Sequence, residues 1–189
     1  MNMGKRFLLT LISIFIFASA ALAYENPRWM HMPITVYIPK DTNAVAQNAF
    51  KTWQSVSSGT VRFIYKDSAN LGKLCNIRVE VIDTPLGDNG YSVEQTAMMF
   101  DKTGYYQKNG FFYKTTIKIS TKDANNKNIS NSKMQAIALK AVGEAIGIKP
   151  VKDDTVLMSL SDDLKVKKIT SKDLDALNKI YKSDTKYVK

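Results

Sequence analysis

The chain is poor in the side chains that most often carry enzyme chemistry. Its 189 residues include one histidine, His31, and one cysteine, Cys75. A catalytic zinc ion needs three protein ligands, usually imidazole with thiolate or carboxylate, so a histidine-rich zinc site cannot be built. A Ser-His or Cys-His pair would depend on His31, and a lone cysteine cannot form an internal disulfide. Because Cys75 begins an alternating strand pattern, we expect a buried, unreactive thiol there.

Long apolar runs are missing once the first residues are set aside. The chain opens with the basic segment MNMGKR, continues with the apolar segment FLLTLISIFIFA and reaches the small-residue sequence ALA, which ends at Ala23. This order predicts a signal peptide over residues 1–23, and the apolar run is too short to be taken first as a membrane span. We therefore expect an exported protein, periplasmic or secreted, that begins near Tyr24 and has no stable membrane anchor.

Arginine is scarce, although the chain is strongly basic. The formal net charge of +10 becomes +8 when Lys5 and Arg6 are removed with the signal peptide. The remaining basic residues are mostly lysines scattered along the chain, whereas nucleic-acid-binding proteins concentrate arginine and aromatic residues on one element. We expect a solvated basic surface, with its densest patches at 165–168 and in the tail, and no nucleic-acid partner.

Hydrophobic periodicity predicts one α+β domain over residues 24–189. Strands are expected at 34–38, 60–65, 75–83, 95–100 and 111–120, the last with alternate residues from Phe111 through Tyr113 to Ile119 on one face. Strands and helices alternate only at the start of the chain. This order indicates a twisted mixed sheet of about five strands with three helices.

Local signals place the three helices. The first is expected to begin at Asp41 or Thr42, the second at Ser130 or Ser132, and the third at Thr170, which is spaced from Asp173 like a capping box. Gly147 suits the end of the second helix. An apolar stripe along this second helix comprises Met134, Ala138, Ala141, Ala145 and Ile148.

Several segments, in this order, carry a resemblance to a known family. They are RWMHMPITVYIP, AFKTWQSVSSGTVRFIY, CNIRVEVID, MQAIALKAVGEAIGI, TVLMS and ITSKDLDALNKIY, and together they span roughly residues 28–182. Their order and spacing resemble the catalytic domain of the matrixin-type metzincin metalloproteases, in their bacterial secreted versions. The resemblance implies a metzincin-like (zincin-like) fold in which MQAIALKAVGEAIGI is the active-site helix.

The zinc signature of that family is degenerate in this chain. The signature is H-E-x-x-H-x-x-G-x-x-H followed by a methionine turn, in which three histidines bind zinc and the glutamate polarises the bound water. Placing its glycine on Gly147 puts the three histidine positions at Lys140, Glu144 and Pro150, the glutamate at Ala141, and the methionine turn at Met158. No ligand position keeps its ligand, so we expect no catalytic zinc, no cofactor and no zinc peptidase activity.

Lys140 and Glu144 are one helical turn apart and therefore share a helix face. We expect the two side chains to pair in or beside the former zinc cleft. The alternative is an ordinary surface ion pair worth about 0.3–0.5 kcal/mol.

The resemblance also suggests what a non-catalytic domain would do. In the family, peptides lie along an edge strand beside the active-site helix, and residues 91–101 would form that edge here. Met98, Met99 and Phe100 are candidate peptide-binding residues because they offer an adaptable apolar surface, and core packing is the alternative explanation. We expect a monomer that binds an unidentified protein or peptide partner.

An enzyme with relocated chemistry remains an alternative function. A secreted or periplasmic hydrolase or peptidase of the same fold would use Glu144 with acids of the following loops, and solvated surface is the simpler explanation for those acids. The loop acids are Asp153, Asp154, Asp162 and Asp163.

A structural calcium site is a further alternative. Asp83, Asp88 and Asn89 supply oxygen ligands in the segment DTPLGDNG, and the family uses comparable loops for calcium. The spacing is not that of an EF-hand, and turn formation explains the same residues.

Overall fold

A computed structural model describes residues 27–40, 44–66, 72–100, 106–161 and 163–182, with the backbone alone for 98–100, 106–109 and 182. The helices in these ranges are α1 (Ala44–Val56), α2 (Asn131–Ala145) and α3 (Ser171–Lys182). The strands are β1 (Arg28–Trp29), β2 (Ile34–Tyr37), β3 (Phe63–Lys66), β4 (Ile77–Ile82), β5 (Tyr91–Phe100) and β6 (Tyr106–Ser120). No helix in the described ranges is long and apolar enough to cross a membrane. The predicted start of the first helix, at Asp41 or Thr42, lies outside them.

One mixed, mostly parallel sheet holds all six strands. Strand β6 pairs with β5 along one edge in antiparallel fashion and with β4 and β1 along the other edge in parallel fashion. Strand β2 then joins β4 to β3, again in parallel. The order is therefore β3-β2-β4-β6-β5, with β1 beside the first half of β6. The mixed sheet is compatible with the predicted α+β class, and the sixth strand is β1, whose two residues are too few to show periodicity.

The long strand β6 carries a bulge at Tyr113. Lys114 pairs with Thr96 and Phe112 pairs with Ala97, so Tyr113 has no partner on β5. The extra residue reverses the alternation, which leaves Tyr113 62% exposed while Phe111 and Phe112 are both buried. The prediction that Tyr113 shares the inner face with Ile119 was therefore wrong.

Helix α2 lies in the middle of the domain, against α1 on one side and β5 and β6 on the other. Ser130 caps its start, as predicted, and accepts a hydrogen bond from the Lys133 amide. The indole Nε1 of Trp53, on α1, donates to the Leu139 carbonyl at 2.8 Å. The predicted apolar stripe is buried, and burial extends almost all the way round the helix. Such a helix is surrounded by protein rather than lying on its surface.

Gly147 ends α2, as predicted, and turns the chain sharply. Its φ of +104° is disfavoured for any residue with a Cβ, and an added Cβ would lie 2.6 Å from the Pro27 carbonyl oxygen. The amides of Gly147 and Ile148 donate to the carbonyls of Glu144 and Gly143, which satisfies the helix end. The turn carries the chain from α2 towards Pro150.

The first strand is fastened to the ends of two helices. The Trp29 indole donates to the Ala145 carbonyl at 2.8 Å, at the end of α2. The Tyr181 hydroxyl, on α3, donates to the Ile146 carbonyl at 2.9 Å and accepts from the Trp29 amide at 3.4 Å. Burial raises the pKa of Tyr181, so the hydroxyl keeps its proton and remains a donor.

Candidate functional site

Lys140 is a buried cation on α2, at the position where the resemblance places the first zinc ligand. Its side chain is only 3% exposed. The ammonium Nζ donates to the Ser161 carbonyl at 3.2 Å and lies 6.0 Å from the centre of the Tyr91 ring. The carbonyl and the ring face are both electron-rich, so they partly replace the water that the ammonium loses on burial. The surface ion pair considered as an alternative is therefore wrong for Lys140.

Glu144 lies one turn further along α2 and is linked to Lys140 through Tyr91. The Tyr91 hydroxyl donates to Glu144 Oε1, while the Tyr91 ring faces the ammonium of Lys140. Burial raises the pKa of Glu144, and the Tyr91 hydrogen bond and the attraction of Lys140 offset part of that rise. The predicted direct pairing of Lys140 with Glu144 is replaced by contacts of both residues with Tyr91, and an electrostatic attraction between the two charges remains.

The edge strand also bonds to the backbone of α2. The Gln95 side chain, on β5, donates from Nε2 to the Glu144 carbonyl at 3.0 Å. Beside this contact is a small pocket with a volume of about 90 Å³. The pocket is lined by Pro27, Gln95, Phe112, Glu144 and the segment 147–150. It lies between the edge strand and the turn that follows α2.

The other two signature positions offer no ligand atom. Ala141 is fully buried, so the position of the catalytic glutamate holds a methyl group with no solvent access. Pro150 is half-buried, and its ring has no side-chain donor or acceptor. These residues do not fit a zinc ion, because Glu144 alone among the signature positions carries a side chain that binds metals.

Met158 lies under α2, opposite Gly143. Its side chain is 1% exposed, and its sulfur, with the Trp53 ring, occupies the space that a Cβ on Gly143 would need. Gly143 is three residues after Lys140 and one before Glu144, so Met158 packs against the segment of α2 that lies between these two residues. The methionine turn was expected at this place in the chain.

A buried carboxylate fixes that turn. Asp173, only 1% exposed, accepts from the amides of Leu157 and Met158 at 3.2 and 3.1 Å. It also accepts from the amide and the hydroxyl of Thr170, both at 2.7 Å, while its own amide donates back to the Thr170 hydroxyl at 3.3 Å. The predicted capping box is confirmed. The shorter aspartate in place of glutamate ties α3 to the Met158 turn as well.

The adjacent loop acids Asp153 and Asp154 are both held in the ionised form. Asp153 accepts from Lys172 Nζ at 2.9 Å and from Thr155, and these bonds hold the pKa of its carboxyl far below the usual range. Asp154 accepts from Lys165 Nζ at 2.7 Å and from Ser159, and its pKa is lowered too. Two carboxyls that are both held ionised lack the split pKa values of a proton donor and acceptor. Asp163 is exposed, and Asp162 lies outside the described residues.

The candidate peptide-binding residues end the edge strand. Met98 and Phe100 pair with Phe111 and Tyr106 across an irregular register, with Met99 between them. The side chains of Met98, Met99 and Phe100 lie outside the described part, so core packing and peptide contact stay open for them. Among the described strands, β5 has a hydrogen-bonded neighbour on one side only.

The proposed calcium ligands occupy turns. Asp83 accepts a hydrogen bond from Thr121, and Lys122 Nζ lies 3.7 Å from its carboxylate, where a calcium ion would be repelled. Asp88 and Asn89 are exposed within a turn that the Gly90 amide closes by donating to the Leu86 carbonyl at 3.1 Å. In the described ranges, no group of three or more His, Cys, Asp or Glu side chains is placed to hold a metal ion.

The chain's single cysteine and single histidine, Cys75 and His31, differ in burial. Cys75 is buried, as predicted, and burial raises the pKa of its thiol, so it is a poor nucleophile. His31 is exposed in the connection between β1 and β2.

Residues 91–101 were expected to form the edge strand, but the contacts of Tyr91, Gln95 and Ser161 with α2 were not predicted from periodicity or motif. The segment around Tyr91 has the composition of a turn, and that composition hid the alternation of Tyr91, Val93 and Ala97, which all pack against the core. Period-two alternation was the signal that would have extended the strand back to Tyr91. Ser161 acts through its backbone carbonyl, which no side-chain pattern reveals.

No protein-family model matches this chain, and no curated protein sequence matches it. The geometry of the chain's own residues is therefore the basis for assigning a function.

Proposed function

We propose that the chain is an exported, catalytically inactive metalloprotease-like domain that binds an extended segment of another protein along β5. One observation carries this proposal. The positions of the metal-binding signature are taken by residues that bond to their own neighbours, Lys140 to Ser161 and Glu144 to Tyr91. The site is filled by internal contacts, while the strand beside it keeps one edge without a described partner.

The residue chemistry argues against a catalytic zinc ion at this site. An ammonium, a methyl group and a proline ring stand where two histidines and a glutamate would be required. The buried charge of Lys140 would also repel a second cation beside it. We propose that the ammonium of Lys140 takes the place that a zinc ion would occupy in an active member of the family.

The geometry of β5 supports peptide binding by strand addition. An added strand hydrogen-bonds to the free amide and carbonyl groups of an edge, and alternate side chains of the ligand enter neighbouring pockets. Glu94, Gln95 and Thr96 are exposed on β5, and the pocket beside Gln95 and Glu144 is placed to accept one ligand side chain. Main-chain bonding would provide affinity, and this pocket would provide selectivity.

The proposal is tested with displayed random peptides of about eight residues, long enough to pair with a strand. Peptides enriched on the purified mature domain are measured again by fluorescence anisotropy, and amide hydrogen exchange locates the contact. We expect slower exchange within residues 91–97. Absence of enriched peptides, or slower exchange confined to another surface, would contradict the proposal.

Two proline variants separate binding from folding. Successive amides of a strand point to opposite edges, so one of Gln95→Pro and Thr96→Pro removes an outward donor and the other removes a bond to β6. The outward variant should keep its melting temperature and weaken peptide binding by roughly tenfold or more, since it loses a bond and blocks the edge. Gln95→Ala and Thr96→Ala are the matched controls. Unchanged affinity in both proline variants would remove the edge as the binding site.

The family likeness is tested by restoring the zinc ligands. The combined variant Lys140→His, Ala141→Glu, Glu144→His and Pro150→His should bind one zinc ion, and zinc should raise its melting temperature. The single variant Lys140→His provides the control. If the combined variant is folded and zinc has no effect on it, the metzincin-like assignment fails.

A second candidate function rests on Glu144 itself. A half-buried carboxyl with a raised pKa, on the wall of a pocket, is suited to act as a general base in a hydrolase. Peptide hydrolysis that falls about a hundredfold or more in Glu144→Gln would favour this function. Hydrolysis at the same background rate in both proteins would favour the binding domain, and cleavage that depends on stoichiometric zinc would contradict both.

A further inference from the structure

A second concave surface lies away from the candidate site, between α1, α2 and the segment before α3. This groove, the lysine groove, has a volume of about 600 Å³ and is open to solvent. Its walls include Lys51, Val56, Gln135, Leu139, Lys167 and Lys168. Leu139 precedes Lys140, and consecutive residues of a helix are turned by about 100°. The groove and the candidate site therefore use different faces of α2.

The charge of the groove is entirely positive. Lys51, Lys167 and Lys168 are exposed along it, and the described lining includes no acidic residue. None of these three lysines takes part in an ion pair between described residues. Their neighbours Lys165 and Lys172, by contrast, are paired with Asp154 and Asp153. The charges within the groove repel one another, and a negatively charged ligand would relieve that repulsion.

The groove also has an apolar component between its charges. Val56, at the end of α1, is 40% exposed, although the apolar residues preceding it on that helix, Ala49, Phe50 and Trp53, are all buried. Leu139 of α2 also lines the groove, and Gln135 adds an uncharged hydrogen-bonding group. A phosphate or sulfate group would use the lysines alone. A polypeptide with acidic and apolar side chains would use both components.

We propose that the lysine groove binds an acidic segment of a partner polypeptide, with carboxylates on Lys51, Lys167 and Lys168 and an apolar side chain against Val56. The groove is wide and open, a shape that can accept an extended segment along its surface. This site is separate from the edge strand β5. The domain would then contact its partner on two faces, and linked contacts strengthen each other without any further bond.

The test uses the purified mature domain and a fluorescein-labelled peptide in which glutamate and leucine alternate. Two probes are matched to it: the same peptide with glutamine for every glutamate, and inorganic polyphosphate of similar charge. We expect the acidic peptide to bind, with weaker binding at higher salt, and the glutamine peptide not to bind. Equal or tighter binding of polyphosphate, in competition with the peptide, would overturn the proposal in favour of a simple anion site.

Charge-reversal variants locate the binding. The double variant Lys51→Glu and Lys168→Glu should weaken the acidic peptide roughly tenfold or more, through loss of attraction and added repulsion. The control double variant, Lys127→Glu and Lys152→Glu, changes the net charge equally at exposed lysines outside the groove. Equal weakening in both variants would show that only overall charge matters and would overturn the site.

Val56→Ser tests the apolar component. We expect about threefold weaker binding of the acidic peptide and unchanged binding of polyphosphate, because only the peptide has an apolar group to bury. Unchanged peptide binding in Val56→Ser would contradict the polypeptide assignment. The proline variants of Gln95 and Thr96 should leave this affinity unchanged, so the two proposed sites can fail independently.

Discussion

The Met158 turn packs against α2 at Gly143, and its charged group differs from those on the helix face that holds Lys140 and Glu144. At the turn, one carboxylate, Asp173, accepts four hydrogen bonds and is almost completely buried. On the helix face, Lys140 has a carbonyl at 3.2 Å and an aromatic ring at 6.0 Å, and Glu144 keeps a raised pKa. The first region is organised for stability. In the second, a buried ammonium and a carboxyl with a raised pKa lie one helical turn apart.

The largest effect is expected at the turn. Asp173→Ala leaves two buried amides, and the partly buried amide and hydroxyl of Thr170, without their acceptor, which should lower the free energy of unfolding by about 4 kcal/mol. Asp173→Asn keeps one side-chain oxygen, so its free energy of unfolding should lie between those of the native protein and Asp173→Ala. Urea unfolding provides the measurement, and Asp175→Ala, exposed on the same helix, should change stability by less than about 0.5 kcal/mol. A loss below about 1 kcal/mol in Asp173→Ala would refute the stabilising role of this carboxylate.

The next effect tests the backbone that joins the two regions. Gly147→Ala forces a Cβ into a disfavoured φ and against the Pro27 carbonyl, and it should cost about 2–3 kcal/mol. Gly59→Ala also has a positive φ, of 81°, but meets nothing within 4 Å, so it gives the conformational part without the clash, at about 1 kcal/mol. Thermal unfolding of both variants gives the comparison. Equal losses would mean that the close approach to Pro27 carries no energy.

A smaller effect is expected when the buried cation is removed. Lys140→Met keeps most of the side-chain volume and removes a charge that is costly to bury, so stability should change by less than about 1 kcal/mol in either direction. Lys140→Ala leaves a cavity instead and should cost about 2–3 kcal/mol. Because Lys140 lowers the pKa of Glu144, carboxyl NMR should show that pKa rising further in Lys140→Met. A pKa that falls or stays constant would mean that the two charges do not interact.

The smallest effect concerns pH. A raised pKa means that folded Glu144 takes up a proton more readily than the unfolded chain does. Its contribution to stability is therefore present below the ordinary glutamate pKa and is lost as the pH rises through the raised value. As the pH rises from about 4 to about 7, the free energy of unfolding of Glu144→Gln should fall less than that of the native protein. Glu94→Gln, on the exposed strand, is the control, and a native pH dependence in Glu144→Gln would contradict the burial of this carboxyl.

The sequence predicted most reliably what depends on near neighbours. The Ser130 cap, the Gly147 helix end and the Thr170–Asp173 capping box each require residues only a few positions apart, and each is present. The bulge at Tyr113 escaped prediction because it depends on how β6 meets β5. Even when the alternation of both strands is predicted correctly, it does not show where one strand carries an extra residue.

The candidate site shows a second limit of the sequence. Lysine is almost never fully buried, so nothing local to Lys140 indicates that its ammonium lies inside the protein. The cause is a carbonyl 21 residues later in the chain and a tyrosine from another strand. The i, i+4 spacing placed Lys140 and Glu144 on one face, but it did not provide Tyr91 as the group between them.

The fastening of Trp29 has a consequence for the order of events during synthesis. Its hydrogen-bond partners lie 116 and 152 residues further along the chain, at Ala145 and Tyr181. Strand β1 therefore cannot complete its hydrogen bonds until Ala145 and Tyr181 have been synthesised, and such long-range contacts slow folding. A shortened chain that ends before α3 would leave β1 without its hydroxyl partner and the Met158 turn without Asp173. Completion of the fold thus coincides with arrival of the last helix.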